Sequence, residues 1–137
     1  MGMAVHTEMK IMRTKGQIEA EISEAIIKFE REYMGRGPEE TRTHVLDDLV
    51  LVRLSGVLTP AEKKLAEADP EGKGRILIKQ LRIELLEKGR ALLDAIVRDI
   101  TGRQVTSLHT DISTVTGERI IIFVLQGRIQ FDTAPTR

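Results

Sequence analysis

The chain contains no cysteine, no tryptophan and no asparagine, and its aromatic side chains are limited to Tyr33, Phe29, Phe123 and Phe131. Without cysteine there are no disulfides, no thiolate nucleophiles and no cysteine-based zinc sites, and the composition suits a reducing compartment. The scarcity of rings removes the stacking platforms on which single-stranded nucleic acids are bound. An excess of one charge is missing too. Twenty-one Lys and Arg balance 21 Asp and Glu, and no long run of one sign offers a footprint for nucleic acid or an anionic membrane surface. No stretch approaches the ~18 apolar residues of a membrane span, and the first residues lack the apolar core of a secretory signal. The chain therefore reads as cytoplasmic, with no transmembrane segment and no nucleic-acid partner.

What is present is enough aliphatic material for a core. The 137 residues are 41% hydrophobic, mostly Leu, Ile, Val and Ala, and a domain of this length buries roughly two-thirds of its unfolded surface. Residues 1–13 read as an N-terminal extension, 14–126 as one domain and 127–137 as a loosely ordered tail. Thr14 and Gln17 have capping-box spacing, and Ile18, Ile22, Ala25, Ile26, Phe29 and Tyr33 follow at helical steps, predicting a helix over 14–34 that stops at Gly35. Residues 41–55, rich in Val, Leu and Thr and interrupted at Asp47-Asp48, predict a hairpin. Thr59, Pro60 and Glu62 are in register as N-cap, N1 and N3 of a short helix. Asp69-Pro70-Glu71-Gly72 precedes a long helix over 73–100. Its apolar residues form two stripes, Ile76, Ile83, Leu86, Leu93, Val97, Ile100 and Leu77, Leu81, Leu85, Leu92, Ile96, an arc too broad for one surface to cover. Residues 104–115 and 118–125 predict a second hairpin turning at Thr116-Gly117. The fold class is α+β in the order α-β-β-α-α-β-β: an antiparallel sheet of two hairpins, packed on one face by a long helix and two shorter ones.

Side-chain alternation from those turns assigns each strand residue to a face. Val45, Val50, Val52, Leu54, Leu108, Ile112, Ile121, Phe123 and Leu125 fall on the core side. The other face carries Leu46, Leu49, Leu51, Ile120, Ile122 and Val124 among Arg42, His44, Arg53, His109, Asp111 and Glu118. It is too apolar to be left to water, which predicts cover by another subunit or a ligand, and hence a homo-oligomer, dimer or higher. His44, His109 and Asp111, with Asp48 nearby, are the residues on that face with metal-binding or acid–base chemistry. Their spacing matches no known ligand motif, and the plainer reading is of polar residues satisfied by hydrogen bonds. Gly35, Arg36 and Gly37 could hold an anion or a partner, against the simpler reading of a helix stop. Arg75, Arg82, Arg90 and Arg98 read as a solvated or ion-paired helix face. No pattern names a cofactor.

Thr14-Lys15-Gly16-Gln17, Gly35-Arg36-Gly37-Pro38, the strand Asp48 to Arg53, Leu58-Thr59-Pro60-Ala61-Glu62-Lys63, Asp111, Gly117-Glu118-Arg119 and Phe123-Val124-Leu125 together resemble a small bacterial family. It is the family named for MpsC, the C component of the Mps membrane-potential-generating system, and the likeness runs over about residues 14–126. The resemblance implies a link to cation translocation and inorganic carbon supply. Because the ion-conducting part of such a system is membrane-embedded, it also implies a soluble accessory or regulatory component with a membrane-protein partner. It brings no catalytic residues. The alternatives are a small metal-dependent hydrolase or lyase using His44, His109 and Asp111, and a small-anion or nucleotide sensor at Gly35–Pro38.

Overall fold

The computed structural model describes residues 13–67 and 69–132. Helix α1 (Lys15–Met34) begins where the sequence places it, with a reciprocal capping box: the Gln17 N–H donates to Thr14 Oγ1 at 3.2 Å and the Thr14 N–H to Gln17 Oε1 at 2.9 Å. It ends at Gly35, whose φ of 86° is a conformation that costs glycine little. Strands β1 (Glu40–Leu46) and β2 (Leu49–Ser55) pair through a two-residue turn, with Leu46 opposite Leu49 and Asp47 at φ 57°. Helix α2 (Pro60–Ala66) carries a second complete capping box between Thr59 and Glu62. Helix α3 (Lys73–Thr101) is started by Asp69, whose carboxylate accepts the N–H groups of Lys73, Gly74 and Arg75, donors that the first turn cannot satisfy itself. Strands β3 (Val105–Ile112) and β4 (Arg119–Leu125) complete an antiparallel sheet of order β1-β2-β4-β3.

The helices lie on one side of that sheet, α1 over β1 and α3 over β3, with α1 against α3. Between them and the sheet sit Ile18, Ile22, Ile26, Phe29, Val50, Val52, Leu54, Ile78, Leu93, Val97, Ile121 and Phe123, each at most 3% exposed. Strand β1 is an edge, a template for unwanted pairing unless it is protected. Helix α1 protects it: Glu19 Oε2 accepts the Val45 N–H at 2.9 Å, and Ser23 and Thr43 hydroxyls meet at 2.7 Å.

Three differences from the sequence reading have physical causes. The β3–β4 turn is wider than a Thr116-Gly117 pair: the Ser113 N–H donates to Glu118 O and the Gly117 N–H to Ser113 O, both at 2.8 Å, so 114–117 form the loop and Ile112 opposes Arg119. The register moves by an even number of residues, so every side chain keeps its face. In α3 the buried line is Gly74, Ile78, Arg82, Leu86, Gly89, Leu93, Val97 and Thr101, while Ile76, Leu77, Leu81, Ile83 and Leu92 are exposed. Gly89 lets α3 approach α1 closely, since a Cβ there would stand 2.5 Å from the Phe29 ring, which stacks on Tyr33. Finally, residues 127–132 are laid against the domain. Ile129 is buried, the Arg103 guanidinium donates to Arg128 O at 2.7 Å, and the Asp132 N–H donates to Arg13 O at 3.0 Å.

Candidate functional site

Among the described residues no element covers the face of the sheet turned away from the helices, and the register of this bare face is explicit. Arg42, Arg53, Ile120 and Asp111 form one row across β1, β2, β4 and β3; His44, Leu51, Ile122 and His109 form the next; Leu46, Leu49, Val124 and Ser107 form a third. The assignment from side-chain alternation holds for every residue. Leu49, Leu51, Ile120, Ile122 and Val124 are half-buried, and Leu46 is 52% exposed. The centre is aliphatic and the charges sit toward the edges and one end.

Those edge groups are tied locally. Arg53 Nε donates to Glu118 Oε2 at 2.5 Å, Arg42 Nε to Glu40 Oε2 at 2.9 Å, and Lys79 Nζ of α3 to Asp111 Oδ1 at 3.0 Å. The Lys79 hydrogen bond, helped by the Ile112 N–H, holds the Asp111 carboxyl below its ordinary range. His44 and His109 share a row but stand on opposite edge strands, about 14 Å apart at three inter-strand steps of ~4.8 Å. A metal ion reaching both nitrogens at ~2 Å cannot bridge that gap. Asp48 lies at the β1–β2 turn and Asp111 on β3 beside His109. Among the described residues no group of three or more His, Asp or Glu side chains could hold a metal ion. At the helix stop, the Arg36 guanidinium donates to Leu58 O at 2.9 Å, strapping the end of α1 to the loop before α2.

A second cluster, beneath the sheet, was not picked out from the sequence. Glu30 of α1, Glu62 of α2, Arg82 of α3 and Arg119 of β4 are each 7% exposed or less. Arg82 is the hub: its Nε donates to Glu62 Oε2 at 2.9 Å, and its Nη2 to Glu62 Oε1 at 2.6 Å and to Val57 O at 2.7 Å. Its Nη1 stands 3.5 Å from Glu30 Oε1, Arg119 Nη1 stands 3.7 Å from Glu30 Oε2, and Arg119 Nε donates to Thr110 Oγ1 at 3.2 Å. Two positive and two negative groups therefore neutralise one another inside the core, as buried charges must.

The two glutamates respond differently. For Glu30, burial outweighs the attraction of Arg119 and Arg82 and raises the pKa above its ordinary value. For Glu62, burial pushes upward but hydrogen bonds from Arg82 and the Thr59 N–H prevail and lower it. Arg82, expected on a solvated or ion-paired face, is paired but not solvated. Arg90 meets that expectation, with Nε 3.1 Å from Asp94 Oδ2. A signal for the cluster existed in the sequence: Glu30 continues the four-residue step of Ile18, Ile22 and Ile26, and Arg119 shares the inward phase of Ile121, Phe123 and Leu125.

A cleft of about 580 Å³ opens among α2, α3 and the β3–β4 loop, with Glu39, Lys63, Glu67 and Arg75 around it. Neither His44 nor His109 lines it. A smaller groove of about 240 Å³ is lined by Met34, Leu65, Leu81 and Leu85 and reaches the Glu62–Arg82 pair.

The profile of the Na+-translocating membrane potential-generating system protein MpsC matches residues 14–127, the whole stretch from the α1 cap to the end of the sheet. The chain belongs to the MpsC family. It is also 44% identical over 113 residues to the uncharacterized protein YbcI of Bacillus subtilis strain 168, a match that covers 82% of this chain and 89% of that one. No solved structure matches it. Among the described residues no helix is long and apolar enough to cross a membrane.

Proposed function

We propose that this MpsC-family chain is a non-catalytic, soluble accessory or regulatory component that works in the cytoplasm, beside the membrane-embedded part of a Na+-translocating membrane potential-generating system. The bare sheet face carries this reading. Its centre of Leu49, Leu51, Ile120, Ile122 and Val124 suits contact with another protein surface, while within one chain His44 and His109 stand too far apart to act on one atom. The family match supplies the system, and the lack of a membrane-crossing helix among the described residues supports a peripheral place in it.

Complementation separates this from the hydrolase or lyase reading. In cells deleted for the gene and challenged with Na+, a His44→Ala/His109→Ala double variant, which leaves the charges of Arg42 and Asp111 in place, is expected to restore growth and membrane potential as fully as the wild-type chain. Failure of a double variant that folds and sediments as the wild type does would overturn the non-catalytic reading.

A further inference from the structure

The bare face has the pattern of a surface that recognises itself. A two-fold axis lying between two such sheets and parallel to their strands keeps each row at its own height and exchanges the edges. Strand β1 of one copy then faces β3 of the other, and β2 faces β4. Read across the rows, this sets Arg42 against Asp111 of the second copy, His44 against His109, Leu51 against Ile122 and Leu49 against Val124. The aliphatic centre covers itself, and a positive edge group meets a negative one twice. An axis perpendicular to the strands would invert the order of rows, placing Arg42 over Leu46 and Asp111 over Ser107 and leaving both charges without an opposite.

We propose that the face closes on a second copy of this chain in the first arrangement, through the row contacts Arg42–Asp111, Leu51–Ile122 and Leu49–Val124. The inference rests on the reading of the face as a protein contact surface and names its occupant. Two further groups fit it. Arg42 is already beside Glu40, and Asp111 beside Lys79, so each new contact lengthens a chain of alternating sign, Glu40–Arg42–Asp111–Lys79, across the two copies. A four-stranded face seven residues deep covers roughly 19 by 24 Å at ordinary sheet spacings. That is about 450 Å² of flat footprint per copy, more once side-chain relief is counted, which brings the pair near the ~1,000 Å² that a specific interface needs. The dimer leaves both copies of the exposed Leu77, Leu81 and Ile83 face of α3 on the outside.

Sedimentation equilibrium of the full chain tests this. The wild type is expected to dimerise, and Leu51→Lys to be a monomer with unchanged circular dichroism. Arg42→Asp and Asp111→Arg, both at exposed positions, are each expected to weaken the dimer about tenfold, because two exposed pairs become repulsive. Combining them should restore it. A wild-type monomer at 100 μM overturns the proposal, and so does a dimer indifferent to Leu51→Lys. Single charge reversals that weaken the dimer without rescue in the double variant overturn the arrangement, as would a dimer unaffected by either. These outcomes are independent of the complementation experiment: a monomer that still restores growth sinks the dimer and spares the accessory reading, and a dimer that restores nothing does the reverse.

Discussion

Two sets of charged residues lie on opposite sides of one sheet, and the same chemistry does different work in each. Beneath it, Glu30, Glu62, Arg82 and Arg119 are shut in the core. Above it, Arg42, Arg53, Asp111 and Glu118 stand in water with partners on their own or neighbouring elements. Adjacent residues of β4, Arg119 and Ile120, show the inversion, with the charged one inside and the aliphatic one outside. Inside, each charge is desolvated and must be answered, so the cluster constrains how α1, α2, α3 and the sheet dock. Outside, screening makes each pair nearly free to exchange partners. The buried set ties α1, α2 and α3 to the sheet; the outer set stays in contact with solvent.

The contrast can be broken most sharply at Arg82. Arg82→Met leaves Glu62 and Glu30 without their hub and is expected to cost about 3–5 kcal/mol in urea unfolding, whereas Arg42→Met should stay within ~0.5 kcal/mol. Equal losses would erase the distinction between the two sides. Glu30→Gln should cost less than Arg82→Met, about 1–3 kcal/mol, because burial already favours the neutral carboxyl.

That substitution also carries a pH signature. A carboxyl whose pKa is raised in the folded state loses stability as pH climbs above its unfolded value of 4.5. The penalty of Glu30→Gln should therefore shrink as pH rises from ~4 toward neutrality. Glu62, lowered from 4.5, has the opposite sign, its stabilisation present above that value and lost on acidification through its folded pKa. A penalty for Glu30→Gln that grows with pH would show that the arginines, not burial, dominate Glu30. Thr59→Ala, which removes the side-chain acceptor of the Glu62 N–H at 3.1 Å, should cost about 1 kcal/mol. Smallest of all, Lys79→Met beside the exposed Asp111 should fall below ~0.5 kcal/mol and vanish in high salt.

Much of the fold was legible in local signals. Both capping boxes, the glycine stop at Gly35 and the two-residue Asp47-Asp48 turn stand where the sequence puts them, because each depends on residues within one or two turns of chain. The faces of the sheet were legible for the same reason, and survived a misread turn at 114–117 because the register error was even. The core cluster was not read, since a rule that places apolar residues inside treats Glu30, Arg82 and Arg119 as exposed, and only their partners on three other elements make burial tolerable. On α3 the apolar arc was read correctly as too broad, but the line that faces the core runs through Gly74, Arg82 and Gly89. Close backbone approach at the glycines joins the hydrophobicity of Ile78, Leu86, Leu93 and Val97 in selecting it: a Cβ on Gly74 would collide with the Leu65 carbonyl.

The Glu62 carboxylate ends the first turn of α2 and also anchors Arg82. A seven-residue helix is too short to persist by itself, and here its opening turn is bonded to a group that water cannot reach. Fraying α2 from its N-terminus would strand Arg82 without its closest counter-charge. The helix is therefore expected to open only when the core does. Its amides near Lys63 should exchange with deuterium at the rate of global unfolding, unlike those of an ordinary short surface helix, and in Arg82→Met that protection should be lost first.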